Sequence, residues 1–358
     1  MRDWEVMRDF LSRNYRPDVA LCCRSVFEWQ FMVQPDTGAA NMYCAWDGDR
    51  LIGIQGYIPV QIFWGATDKP VSGAWTINWY VEKDYRRGVG WLLMRKLQDA
   101  FPVVMGIEAS PDNQVIVNRL GWTFYPSLPR YLSVLDLEQA SQMLCPEVSV
   151  QADLRPLLYA GETLARPHYL NEASGDYNPD WRLYPPMSYG VIRSQSYFGW
   201  RYFAHPVFKY FIATTGSLDR PAVCVYRIEQ SSGDFRAKVG RIVDFFHPID
   251  SEGSENGKGL IHAVLNNLRE KGCAYADCFC SSHTYAQTLL EAGWRMQPAS
   301  RQLLPVRLSP IERKMFTYNI EWGVAKQLPV PILEDTYFTK SDGDADRAAM
   351  LPELLEKS

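Results

Sequence analysis

The feature that most constrains this chain is a diverged internal repeat. Residues 25–35 read SVFEWQFMVQP and residues 196–206 read SYFGWRYFAHP. Ser25 and Ser196, Phe27 and Phe198, Trp29 and Trp200, and Pro35 and Pro206 all stand 171 positions apart. Gly88-Val89-Gly90 is echoed by Gly257-Lys258-Gly259, and Gly121-Trp122 by Gly293-Trp294, at offsets of 169 and 172. A period of this size belongs to a duplicated domain and not to a solenoid. The full length of 358 residues agrees, because a single core rarely organises so long a chain. Pro-rich stretches at Pro146–Pro156 and Pro179–Pro186 mark the join. The expected units are 1–145, 146–310 and a C-terminal extension, 311–358.

Each half reads as strands, a helix, a strand, a helix and closing strands. In the first half, Leu51–Val60, Trp75–Val81 and Val103–Ile107 are β-branched and aromatic, as strands are. Gly88 opens a helix with Val89, Leu92, Leu93, Lys96 and Leu97 at helical spacing, and a shorter helix runs from about Asp112 to Gly121. The second half repeats the plan with Val239–Phe246, Leu260–Arg269, Tyr275–Cys280 and Thr284–Ala292.

Composition narrows the function. With 47% hydrophobic and 22% charged residues the chain folds around cores, and a net charge of -4 argues against a nucleic-acid partner. No run of about 18 apolar residues occurs and the start lacks a signal-like segment, so the expectation is a cytoplasmic protein without membrane insertion. Eight cysteines without CxxC spacing read as reduced, mostly buried thiols and not as metal ligands. Asp342, Asp344, Asp346 and Glu353 fall at EF-hand positions, but Arg347 stands where glycine is required. They are expected to form a polar tail without metal.

The segment WTINWYVEKDYRRGVGWLLMRKL carries the clearest chemistry. A strand enters a basic, glycine-rich turn that opens a helix, and free N–H groups at such a helix start favour a phosphate. Val81-Glu-Lys-Asp-Tyr-Arg-Arg-Gly-Val-Gly resembles the cofactor loop of the GNAT family of acyl-coenzyme A-dependent N-acyltransferases. Tyr85 stands where that family has Arg or Gln. Asn113 in SPDNQVIVNRLGW and the pair Gly121-Trp122 are similar to the family's later Asn and closing Gly-Phe. The resemblance spans about 300 residues, because the second half looks like another such domain. It implies an α/β (α+β) fold with two tandem GNAT-like domains, each a mixed, mostly antiparallel sheet flanked by helices.

It also implies acyl-CoA as donor, with coenzyme A contacts at Val81, Arg86, Arg87, Gly88, Val89, Gly90, Trp91 and Asn113, and no metal. A backbone N–H at or near Val81 would meet the oxyanion. The second loop has Ser254 at the Arg/Gln position with Glu252 and Glu255 nearby, and these carboxylates repel a pyrophosphate. The cofactor is therefore expected in the first half and the acceptor in the second.

Phe198-x-Trp200-Arg201-Tyr202-x-x-His205-Pro206 and the segment Tyr337–Arg347 are similar to tandem proteins of bacterial surface-polysaccharide pathways. That resemblance implies transfer of an acetyl or 3-hydroxybutanoyl group to an amino sugar on a nucleotide diphosphate, of the dTDP-3-amino-3,6-dideoxyhexose type, in O-antigen synthesis. Trp200, Arg201, His205 and His247 are the candidate substrate contacts, and the chain would be a monomer or homodimer. Another small amine, a peptide, or a non-catalytic CoA-binding role are the alternatives.

Counting back from Val81 and His247 sets Asn78 opposite Asp244 in the duplication. Asp244 lies in the apolar run VGRIVDFFHP, where burial raises a carboxyl pKa toward that of a base. Glu82 is the second candidate base. Val117 and Leu289 occupy the place of the family's frequent tyrosine acid, which leaves water to protonate the thiolate.

Overall fold

The computed structural model describes residues 4–33, 39–65, 69–147, 153–161, 166–170, 179, 183–184, 189–217, 219–230 and 237–351. Pro35 and much of both Pro-rich joins lie outside the described residues, as does Glu353. Two helices, α1 (Trp4–Asn14) and α2 (Arg24–Phe31), precede strands β1 (Met42–Asp47), β2 (Arg50–Trp64) and β3 (Val71–Val81). Helix α3 (Val89–Ala100), β4 (Val103–Ile107), α4 (Pro111–Arg119), β5 (Thr123–Tyr125), β6 (Arg130–Val134) and α5 (Leu137–Gln142) follow. Then come β7 (His168–Leu170), β8 (Tyr189–Val191) and α6 (Gln195–Phe198), which runs into a π-helical turn over Gly199–Phe203. The second half continues with β9 (Phe211–Thr215), β10 (Ala222–Gln230), β11 (Lys238–Phe246), α7 (Ser251–Glu270) and β12 (Cys273–Phe279). Helix α8 (His283–Glu291), β13 (Arg295–Gln297) and β14 (Ile320–Val324) complete it.

Among the described residues the strands form two mixed sheets flanked by helices. One has the order β1-β2-β3-β4-β14-β5 with β8 also on β2, and the other runs β13-β6-β12-β11-β10-β9-β7. In each, one central pair is parallel, β3 with β4 and β11 with β12. The sheets cross the boundaries expected from the sequence. β6 comes from the first half yet lies between β12 and β13. β14 comes from the C-terminal extension yet lies between β4 and β5. Each sheet thus receives a strand from outside its own half, and one buried cluster links Phe27 and Trp75 of the first half to Phe245 and Trp294 of the second.

The repeated tryptophans meet where the halves join. The Trp29 indole N–H donates to the Trp200 carbonyl and the Trp200 indole to the Trp29 carbonyl, both at 2.8 Å. Their rings stack with centroids 5.5 Å apart. The motif that reveals the duplication in sequence therefore forms a reciprocal contact between its two copies.

Local differences from the sequence reading have simple causes. In α3 the buried side chains are Leu93, Met94 and Leu97, whereas Leu92 is 68% exposed. Val89 is half-buried and Lys96 exposed, so the packed stripe is rotated toward Met94. α4 begins one residue earlier than expected, with Pro111 in its first turn and Ser110 accepting from the Asn113 N–H. α7 begins at Ser251 rather than Leu260, because the Asp250 carboxylate caps it by accepting from the Gly253 N–H. All eight cysteines are free, and all but Cys23 and Cys44 are buried. No helix among the described residues is long and apolar enough to cross a membrane.

The expected polar tail is instead an internal strap. Beyond Ile242 and Cys278, β11 and β12 stop pairing, and the tail enters between their ends. The Ser341 N–H donates to the Val243 carbonyl and the Ser281 N–H to the Phe338 carbonyl, both at 3.0 Å. Buried arginines fix the strap's aspartates. Arg193 pairs with Asp342 and Asp244 at 2.7 Å each, and Arg227 pairs with Asp346 at 2.8 Å. A buried ion pair stripped of one partner leaves an uncompensated charge, which costs about 3–5 kcal/mol. Arg193→Met should therefore lower the unfolding free energy by about that amount in urea titration. A loss below about 1 kcal/mol would show that the strap is not held by this pair.

Candidate active site

A cavity of about 710 Å3 opens where β3 and β4 part. The two strands pair only from Gly73–Val103 to Thr76–Gly106. Past that point β3 stays bonded to β2 as far as Val81, and β4 stays bonded to β14 as far as Ile107. Among the described residues no strand joins the facing edges of the two arms. A bulge in the β2–β3 ladder between Ile54 and Gly56 accompanies the opening, and Asn78 within it takes φ +49°. Such a left-handed residue in mid-strand turns the backbone away from regular pairing.

At the mouth of the split lies the start of α3. Gly88 caps the helix at φ +95°, a conformation that glycine alone adopts readily, and no side chain bonds the cap. The first N–H groups of the helix are thus free to meet an anion, with the helix dipole in support. Arg86 lines the same space, with its Nε donating to the Val81 carbonyl at 3.1 Å and Nη1 3.3 Å from Asp112. Val81, Gly88, Gly90, Trp91, Asn113 and Asn78 also line the cavity. Arg87 and Val89 are outside its lining; Arg87 is exposed and Val89 half-buried. Of the residues expected around a cofactor, the structure brings together all but these two.

The second half does not repeat this site. Gly257 and Gly259 lie inside α7, one turn and more beyond its capped start, and not in a loop. A Cβ on Gly257 would stand 2.5 Å from the His247 ring, so this glycine serves close packing. The corresponding split is filled by the strap.

That filling decides the fate of Asp244. Its carboxylate is fully buried, ion-paired to Arg193 and hydrogen-bonded by the hydroxyls of Tyr202 (2.7 Å), Thr339 (3.2 Å) and Tyr337. A carboxylate with four donors and no exposed surface cannot collect a proton from a substrate amine. The expectation of a base at Asp244 is corrected accordingly: it anchors the strap.

Glu82 also has its capacity taken, by Arg13 at 2.8 Å, Arg50 at 2.6 Å and Asn14 at 3.4 Å. Burial pushes its pKa up, but the hydrogen bonds of Arg13 and Asn14 and the two positive charges hold it below the ordinary carboxyl value. It is outside the cavity lining and is a poor base. Asn78 accepts from the Gln30 amide at 2.8 Å and so stays positioned in the bulge.

The expected substrate contacts turn inward as well. Arg201 is buried and donates to the strap carbonyls of Ser341 at 2.8 Å and Asp346 at 3.2 Å. His205 Nδ1 accepts the N–H groups of Val207 and Phe208, and burial together with the Arg201 charge lowers its pKa well below the usual value. His247 lies between the Pro248 carbonyl and Thr288 Oγ1, at 2.7 and 2.8 Å, and burial lowers its pKa too. Trp200 is engaged with Trp29. None of these four lines the cavity.

Comparison with solved structures places this arrangement among known folds. The chain is similar to a GCN5-related N-acetyltransferase from Anabaena variabilis, with TM-score 0.56, 12% identity, and 91% of this chain and 71% of that one covered. It is also similar to a probable N-acyltransferase from Enterococcus faecalis, a conserved protein of unknown function, with TM-score 0.55, 10% identity and coverage of 90% and 70%. A GCN5-related N-acetyltransferase from Kribbella flavida matches at TM-score 0.50 and 13% identity, covering 90% and 70%. No family model matches the sequence, and no curated protein matches it. The fold is thus of the GNAT type.

Several cavity residues escaped the sequence reading, Glu321 among them. Four carboxylates line the space: Glu108, Asp112, Asp344 and Glu321. Glu108 faces Arg307 and Arg347, Asp112 faces Arg86, and Asp344 faces Arg347. Among the described residues Glu321 of β14 has no arginine partner and its Oε2 no hydrogen bond; it is 3% exposed, and burial lifts its pKa to about 8. In sequence it is one polar residue in the alternation Ile320-Glu-Trp322, which reads as a solvent-facing strand position. Its burial arises from the strand exchange, which no local pattern encodes.

The proton on Glu321 has a thermodynamic consequence. An unfolded Glu ionises near pH 4.3, whereas the folded group holds its proton to about pH 8. The folded state therefore binds more protons across that window, and stability falls as pH rises through it. Glu321→Gln should remove part of the decline in urea midpoint between pH 5 and pH 8. An unchanged slope would show that this carboxyl ionises normally.

Proposed function

We propose that this chain is an N-acyltransferase whose acyl-CoA donor lies in the split of the first sheet. The observation that carries this reading is the pairing of an open strand split with an uncapped, glycine-started helix at its mouth. Anionic phosphate would meet the first N–H groups of α3, at Gly90 and Trp91, near Arg86. The extended pantetheine arm would run between Ile77–Val81 and the end of β4 at Ile107, where the β3 edge facing the split can bond its amides. The GNAT-type fold supports the assignment. In this reading residues 146–310 shape the protein around the site while residues 1–145, with β14, hold the cofactor.

The reaction follows from that placement. A neutral amine attacks the thioester carbonyl; the C–N bond forms, the C–S bond breaks, and coenzyme A leaves as a thiolate. Backbone N–H groups of the open β3 arm, at Val81 or beside it, would stabilise the oxyanion, as preorganised donors do best. The amine proton departs to solvent, and the thiolate, with an intrinsic pKa of about 8.5, is protonated by water. Asp244 and Glu82 take no part. For the acceptor we infer a small amine, in its finer form an amino sugar on a nucleotide diphosphate, as the motif resemblance implies. Arg347, paired with Asp344 and Glu108, lines the cavity wall.

The test has two arms. Acyl-CoA mixed with the protein and a panel of amines should release free thiol, measured colorimetrically; donor binding without thiol release from any amine would leave a binding protein, not an enzyme. Gly88→Val forces a β-branched residue to φ +95°, a strain of about 1–3 kcal/mol, so coenzyme A affinity should fall about tenfold or more by calorimetry. Gly257→Val should leave that affinity within about twofold yet lower the melting temperature through the clash with His247. Equal losses of affinity at the two glycines would contradict a single cofactor site.

A further inference from the structure

The floor of the split is polar where a site for a plain alkyl chain would be apolar. β3 and β4 end their pairing at Thr76 and Gly106, and Glu321 is the register partner of Gly106 on the other side. Paired residues on adjacent strands share a face, so Thr76, Gly106 and Glu321 lie side by side at the apex. That face is also the one covered by α3 and α4, since Ala74 and Val104, two residues back, pack with Met94 and Val117. Thr76, Met94, Val117 and Glu321 all line the cavity.

Gly106 matters because it has no side chain. A Cβ there would run into the Glu321 carboxyl and come within 3.0 Å of the Thr76 methyl. The glycine therefore lets the carboxyl lean across the strand toward the apex. Behind it, the Gln55 amide donates to Thr76 Oγ1 at 2.7 Å, which leaves that hydroxyl oriented, while Gln55 Oε1 has no partner of its own. Glu321 Oε2 is likewise without a partner. A buried polar atom without a hydrogen bond is an expensive arrangement unless a ligand completes it.

We propose that Glu321 is the specificity-determining residue for the donor, receiving a hydroxyl carried on a short acyl chain. This rests on the acyltransferase reading above, which puts the thioester in the open arms and the end of the acyl chain at the apex beneath them. A hydroxyl can both donate to and accept from a neutral carboxyl, completing its unpaired oxygen. A bare alkyl chain would leave that oxygen, already shielded from water, without a partner. The hydrogen bond gained by a buried, unpaired oxygen favours the hydroxylated donor by about tenfold or more.

Calorimetry with coenzyme A, butanoyl-CoA and 3-hydroxybutanoyl-CoA tests this on the intact protein. The wild type should bind 3-hydroxybutanoyl-CoA at least about tenfold more tightly than butanoyl-CoA. Glu321→Leu should erase or reverse that preference while leaving affinity for coenzyme A itself unchanged. Glu321→Gln, which keeps hydrogen-bonding capacity, should retain most of it. Equal affinities of the wild type for the two acyl donors would overturn the proposal even if the Leu variant fails to fold, and so would a preference that survives in Glu321→Leu. Absence of coenzyme A binding altogether would overturn the acyltransferase reading and this proposal with it, whereas coenzyme A binding without hydroxyl preference overturns only the proposal.

Discussion

The structure depends on a run of buried ion pairs that locks the C-terminal strap into the second sheet. Arg193 bridges Asp244 and Asp342, Arg227 holds Asp346, and Asp277 is shared by Arg241 and Arg130 at 2.7 and 3.0 Å. Charges this deeply buried are tolerable when matched; Arg193–Asp342 and Arg227–Asp346 reach the strap, while the Asp277 pairs tie β6, β11 and β12 together beneath it. Because the strap fills the second split, the duplication yields one open site instead of two. The same strap then reaches the first cavity, where Asp344 and Arg347 form part of the wall.

Reciprocal strand exchange enforces this asymmetry. β6 leaves the first half to join β12 and β13, and β14 returns from the far end to separate β4 from β5. Neither sheet is complete without the other half of the chain, and the Trp29–Trp200 pair closes the junction. β14 also delivers Glu321, so the cavity owes its unpaired carboxyl to a segment more than two hundred residues from the loop that opens it.

Much of the plan was legible in the sequence. The repeat foretold two similar sheets, and the β3–α3 segment foretold the helix start that lines the cavity, because glycine and strand signals are local. The residues that depended on tertiary context were misread. Asp244 sits in an apolar run, which signals burial, but nothing nearby signals that Arg193, Tyr202, Tyr337 and Thr339 converge on it from distant segments. Arg201 and His205 belong to the repeat motif, yet they serve the strap and the junction. The acidic tail looked solvated because charge usually is; Asp342 and Asp346 are buried because arginines ahead of α6 and on β10 and β11 neutralise them, and Asp344 because Arg347 of the tail does. The second glycine pair looked like a loop, but capping by Asp250 extends the helix back through it.

The central claim is that the duplicated splits have different fates, one open to a cofactor and one closed by the chain itself. Amide hydrogen exchange of the intact protein, with and without coenzyme A, tests this most directly. The account predicts slowed exchange in the β3 arm, the start of α3 and the start of α4, with residues 243–260 unchanged. Protection in residues 243–260 on adding coenzyme A, or none along the β3 arm and α3, would contradict it.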